Sequence, residues 1–137
     1  MKLIRSVAPL IVILLVLEFS AVVKKSYGEQ IFKSISPTVA HKMIAADKDI
    51  LFVDVRTPGE IAETAVDGAR PVPMAAILEG QVVLPRGRPL ILICAVGGRS
   101  YWVGRFLSSR GYPEVYNVSG GIYAWEKEGL PILRKKP

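Results

Sequence analysis

The sequence predicts a parallel α/β sheet covered by helices on both faces, and three observations predict it. Two short apolar runs, Ile50–Val55 and Leu90–Ile93, lack polar alternation, which is the pattern of strands buried on both sides. Segments with helical spacing or helix caps follow each of them, and another follows the strand pattern Glu114–Val118. Strands that alternate with helices are joined by crossovers, which give parallel pairing and place the helices against the sheet.

The chain begins with a basic stretch, Met1-Lys2-Leu3-Ile4-Arg5, and an apolar run from Val7 to Leu17 broken only by Pro9. Together they make the n-region and h-region of a leader. From Val7 to Val23 only Glu18 is charged, and this length is the lower limit for spanning a bilayer. Residues 1–28 are therefore expected to be a cleaved signal peptide or an N-terminal membrane anchor through residues 7–23. Phe19-Ser20-Ala21 places an aromatic where cleavage wants a small residue, and Ser26-Tyr27-Gly28 follows two lysines. Either reading exports the rest of the chain to a periplasmic or other extracytoplasmic location, because the charged start prefers the inside. Residues 29–133 are expected to be one domain, and residues 134–137 a solvated basic tail.

Within the domain, Gln30–Ile35 alternates and predicts a short edge strand. Ser36-Pro37 is an N-cap followed by proline at the first helical position, opening a helix through Ala46 with Val39, Met43 and Ile44 on its apolar face. His41 falls off that face and reads as a solvated residue. After the strand Ile50–Val55, Thr57-Pro58-Gly59-Glu60 is a capping box for a short helix. Val66–Ala69 predicts a turn, Arg70–Pro73 an extended segment, Met74–Leu78 a helical turn or two, and Gln81–Leu84 a weakly paired strand. Beyond the strand Leu90–Ile93, Trp102, Val103, Phe106 and Leu107 recur at helical spacing until Gly111. Glu114–Val118 is the next strand, and Ser119-Gly120-Gly121 leads into a helix, Ile122–Glu128, stopped by Gly129 and Pro131.

Composition removes several function classes. The 137 residues carry a formal charge of +6, but from Glu29 onward 14 basic residues face 11 acidic ones, too weak a surplus for a nucleic-acid footprint. One cysteine allows no internal disulfide, and one cysteine with one histidine far from it makes no metal cluster, so neither metal nor cofactor is expected.

That single cysteine, Cys94, falls at the C-terminal end of a buried strand, just ahead of a helix start, where open α/β sheets bind ligands. Gly97 and Gly98 let the backbone turn several N–H groups inward, and the helix start adds a positive dipole end. A thiol there should ionise readily, with Arg99 able to hold an anion. The competing reading is an inert buried cysteine.

Three segments carry a resemblance to the rhodanese homology domain in its single-domain form. Asp54-Val55-Arg56-Thr57-Pro58-Gly59-Glu60, with Asp67-Gly68-Ala69 after it, is similar to that family's strand-then-helix signature. Cys94-Ala95-Val96-Gly97-Gly98-Arg99-Ser100 resembles its active-site loop, and Val115 to Trp125 its C-terminal strand, loop and helix. The resemblance covers about residues 35–133. It implies a three-layer fold around about five parallel strands, and a sulfurtransferase. In that reading Cys94 takes sulfur from a small anionic donor such as thiosulfate and passes it to cyanide or a thiol. Backbone N–H groups from Ala95, Val96, Gly97, Gly98, Arg99 and Ser100 would cradle the sulfur, Arg99 would orient the donor, and Asp54 with Arg56 would form a supporting ion pair. A monomer is expected. Many family members carry Gly-His where this chain has Thr64-Ala65, and proline where it has Asp67.

Other readings stay open. A phosphatase or arsenate reductase of this general fold needs five residues between cysteine and arginine, whereas four, Ala95 to Gly98, stand here. A persulfide carrier or interaction module without turnover would keep the same residues. A dithiol oxidoreductase lacks its second cysteine.

Overall fold

The computed structural model describes residues 8–26 and 30–135. A helix, α1 (Ala8–Ser26), comes first, and its side chains from Pro9 to Ser20 are exposed. There follow β1 (Ile31–Ile35), α2 (Pro37–Ala46), β2 (Leu51–Asp54), α3 (Pro58–Glu63), β3 (Thr64–Val66) and β4 (Arg70–Pro71). The chain continues through α4 (Met74–Leu78), β5 (Leu90–Ile93), α5 (Gly98–Ser109), β6 (Glu114–Val118), α6 (Gly121–Lys127) and β7 (Ile132–Arg134).

Five strands form one sheet in the order β1-β6-β5-β2-β4, and every neighbouring pair is parallel. The expected architecture holds. All four side chains of β5 are buried, as a strand with helices on both faces requires. Strand alternation sorts the core into two layers. Val53, Leu90, Leu92 and Val115 face α4 and α5, whereas Phe52, Ile91, Ile93 and Val118 face α2 and α6.

Local signals place the helix starts. Ser36 accepts from the Val39 N–H at 3.3 Å, and Thr57 with Glu60 completes the capping box of α3. The edge strand at Gln30–Ile35 is β1, paired with β6 from Ile31↔Glu114 to Ile35↔Val118.

Several expectations change. Gln81–Leu84 forms no strand; Val82 N–H instead bonds back to Ala76 O after α4. Val39 is exposed, and α2 buries Pro37 and Ala40 with Met43 and Ile44 partly covered. Trp102 is also exposed, because α5 turns Ser100, Val103, Gly104 and Leu107 to the sheet. His41 is half-buried, with its ring edge-on to Trp125 at 5.7 Å. An antiparallel ribbon of β3 and β7 gave no sequence signal, since each strand has three residues. It draws Arg134 into a strand and ties Lys135 N–H to Glu63 O. Residues 1–7, with the basic start of the leader, 27–29 and 136–137 lie outside the described residues.

Candidate active site

Cys94 follows β5 directly and is buried. The loop after it closes at Gly97, whose φ of +92° is the left-handed conformation that glycine takes without strain. A side chain at Gly97 would also meet Gly120 N at 2.9 Å, so the site needs glycine for space as well. With the loop in this shape, the Gly97 N–H lies 3.1 Å from Cys94 Sγ.

The loop is held from behind by the start of α6. Ile122 N–H donates to Cys94 O at 2.8 Å and Tyr123 N–H to Ala95 O at 3.1 Å. Those bonds occupy the loop's outward carbonyls and leave its N–H groups free for the sulfur side. Burial pushes the Cys94 thiol up, hydrogen bonds from Ser100 and from the Gly97 and Val96 N–H groups push it down, and the net shift is downward, with the Ser100 hydroxyl dividing its single proton between Cys94 Sγ and Asn117 Oδ1. Among the described residues, hydrogen bonds to the sulfur come from the Gly97 N–H and, in part, from the Ser100 hydroxyl.

Arg99 meets an unforeseen partner. Its Nη1 and Nη2 donate to Glu60 Oε2 and Oε1 at 2.8 and 2.6 Å, a bidentate pair. Glu60 Oε2 also accepts from Thr57 N–H and its hydroxyl at 3.1 and 2.9 Å. The Arg99 guanidinium holds the Glu60 carboxyl down at about 2, from an ordinary 4.5. A carboxyl lowered in the folded state contributes its stability above the unfolded value and loses it as pH falls through about 2. The pair is therefore closed at neutral pH. A cleft of about 400 Å³ opens beside Arg99, walled by Val55, Thr57, Met74 and Leu78.

Asp54 and Arg56 form the expected ion pair, buried, at 2.8 Å. Arg56 also reaches Thr64 O, so the pair braces β2 against β3. Neither residue contacts the sulfur among the bonds of the described residues.

Two further polar residues join the site. Ser100 Oγ lies 2.6 Å from Asn117 Oδ1 and 3.3 Å from Cys94 Sγ, and Asn117 Nδ2 donates to Ser34 Oγ at 3.0 Å. A polar Asn in the otherwise apolar stretch Val115–Val118 was the available signal. Gly120 and Gly121 were legible as a turn, but their support of the loop was not. The cavity at His41, Phe52, Asp67 and Trp125 lies on the α2/α6 side and is remote from this chemistry.

The family model for the rhodanese-like domain matches residues 36–128. A sulfurtransferase of Allochromatium vinosum is 40% identical over 90 residues, covering 66% of this chain and 84% of that protein. The thiosulfate sulfurtransferase GlpE of Actinobacillus succinogenes is 32% identical over 101 residues, covering 74% and 90%. The crystal structure of a rhodanese-related protein from Thermoplasma volcanium superposes with a TM-score of 0.66 at 31% identity, covering 75% of this chain and 99% of that one. With fold, loop and relatives in agreement, the chain belongs to the rhodanese-like domain family of sulfurtransferases.

Proposed function

We propose that this protein moves a sulfane sulfur from an anionic donor such as thiosulfate to a thiol or cyanide through a persulfide on Cys94. The observation that carries the reading is the Cys94 sulfur, facing the Gly97 N–H at 3.1 Å in a loop with four residues before Arg99. The Cys94 thiolate attacks the outer sulfur of thiosulfate, the donor's S–S bond breaks, and sulfite leaves with the electron pair. The acceptor then attacks the outer sulfur of the Cys94 persulfide, and the thiolate returns as leaving group, a two-step covalent cycle. Backbone N–H groups stabilise the negative sulfur in both steps, so no histidine base is needed. The donor's sulfonate end shares Arg99 with Glu60, and the apolar-walled cleft beside Arg99 admits the acceptor. The cycle uses no metal and no cofactor, and the domain acts as a monomer.

The leader is read as exporting this domain to an extracytoplasmic compartment. Supporting this are the basic start and the exposed apolar side chains from Leu10 to Leu17. No helix among the described residues is long and apolar enough to cross a membrane.

Intact-mass spectrometry after incubation with thiosulfate tests the chemistry. A gain of about 32 Da, one sulfur atom, is expected. Cyanide should reverse it, and Cys94→Ala should abolish it. No gain, or a gain that persists in Cys94→Ala, overturns the reading. A gain without multiple turnovers to cyanide or thiol would favour a persulfide carrier.

A further inference from the structure

The cycle through Cys94 leaves a row of polar side chains without a part. Asn117 is buried at 4% exposure on the face of β6 that it shares with Val115. In register it stands between Ser34 of β1 and Leu92 of β5. Cys94 follows Leu92 by two residues and so stands on that face, with Ser100 reaching in from α5. Hydrogen bonds run from Ser34 through Asn117 to Ser100 and the sulfur.

Ser100 has one hydroxyl proton and three acceptors in reach. Asn117 Oδ1 is at 2.6 Å, Cys94 Sγ at 3.3 Å and Gly97 O at 3.4 Å. The shortest contact, to a carbonyl oxygen, takes the larger share of that proton. At the other end of the amide, Nδ2 donates to Ser34 Oγ at 3.0 Å, and in this orientation Oδ1 faces Ser100.

We propose that Asn117 is a positioning residue of the sulfur-transfer site: anchored by Ser34, its amide oxygen holds the Ser100 hydroxyl proton and keeps most of it from the Cys94 sulfur. The consequence rests on the function proposed above. A thiolate that receives fewer hydrogen bonds keeps a higher basicity and is the stronger nucleophile. The loop N–H groups make the thiolate available, and Asn117 limits how far it is quenched. The charged groups around the sulfur are Arg99 with Glu60 bound to it, and the closed Asp54–Arg56 pair; the test alters none of them.

The test is the pH profile of alkylation of the full chain by iodoacetamide, which reads Cys94 alone because the chain has one cysteine. Asn117→Ala releases the Ser100 proton to the sulfur and should lower the midpoint by about half a pH unit, with a lower plateau rate. Asn117→Asp adds a stronger acceptor and a negative charge, and should raise the midpoint by about one unit. Ser34→Ala frees the amide to turn and should lower the midpoint, whereas Ser34→Thr, which keeps the hydroxyl, should restore it. Damage to packing alone would move both Asn117 variants the same way, and that result, or no shift in either, overturns the proposal. Should the Asn117 variants fail to fold, the Ser34 pair on the exposed edge strand decides, and an unmoved midpoint in Ser34→Ala refutes it. Alkylation needs no sulfur donor, so loss of the sulfur-transfer reading and loss of this one are separate outcomes.

Discussion

Glu60 serves two partners, and the balance between them belongs to single residues. It closes the capping box of α3 through Thr57 and neutralises Arg99 through two short bonds. An anionic donor that uses Arg99 must compete with a carboxylate already seated there. Both side chains are about a third exposed, so solvent screens the pair and keeps the competition winnable. Glu60→Gln retains the cap, since glutamine fills that position of the box, but removes the charge that competes. The expected result is a KM for thiosulfate lower by about two- to fivefold with kcat little changed, measured by steady-state kinetics. An unchanged or higher KM would remove Arg99 from donor binding. Arg99 itself was legible in the sequence from its place in the cysteine loop, four residues separating it from Cys94. Glu60 was legible only as a cap, because its bond to Arg99 spans 39 positions that nothing local connects.

At the scale of elements, the loop depends on the turn before α6. Gly121 has a φ of +56°, and a Cβ there would lie 2.2 Å from Cys94 O and 2.6 Å from Ala95 C and O. Those are backbone atoms of the loop itself and cannot swing aside as a flexible side chain does. Gly121→Ala should therefore displace the loop, and a shift of about 1 Å at a reacting group costs roughly 10²-fold in rate. Gly87→Ala, where no atom lies within 4 Å, is the control and should leave transfer unchanged. Equal activity in the two variants would show that α6 does not position Cys94. The glycine pair reads from sequence as a turn and helix start, which is correct as far as it goes. Its contact with Cys94 arises because β6 lies beside β5, and strand order is not a local property. Misjudged faces have a related cause. Trp102 fits the helical period of α5, yet the sheet accepts Gly104 and Ser100 instead, since Phe32 of β1 lies where a Cβ on Gly104 would go.

Across the whole molecule, the Asp54–Arg56 pair joins the main sheet to the β3–β7 ribbon through the Arg56 bond to Thr64 O. Both ions are buried, and both have their hydrogen bonds, which is the condition under which such a pair is tolerated; removing one partner of a buried pair typically costs about 3–5 kcal/mol. The N-terminal segment proposed as a leader belongs to the same scale. Its apolar side chains from Leu10 to Leu17 are exposed and have no place in the two core layers around the sheet. The proposed export predicts that, in a bacterial host, the domain is released with the periplasmic fraction if the leader is cleaved, or is digested by protease added to intact spheroplasts if it is kept. Protection until the membrane is lysed would refute it.

The sequence by itself determined the parallel sheet and its buried central strand, the caps of α2 and α3 and the position of the one thiol. Each is written in a period, a cap or a spacing that neighbouring residues carry. Only the tertiary structure decided which groups meet that thiol's surroundings: Glu60 on Arg99, the α6 N–H groups on the loop carbonyls, and Ser34 and Asn117 behind Ser100. These contacts depend on strand order and register, with Ser34 opposite Asn117 across 83 residues of chain. Long-range register follows from the packing of all five strands together, so no single stretch of sequence contains it.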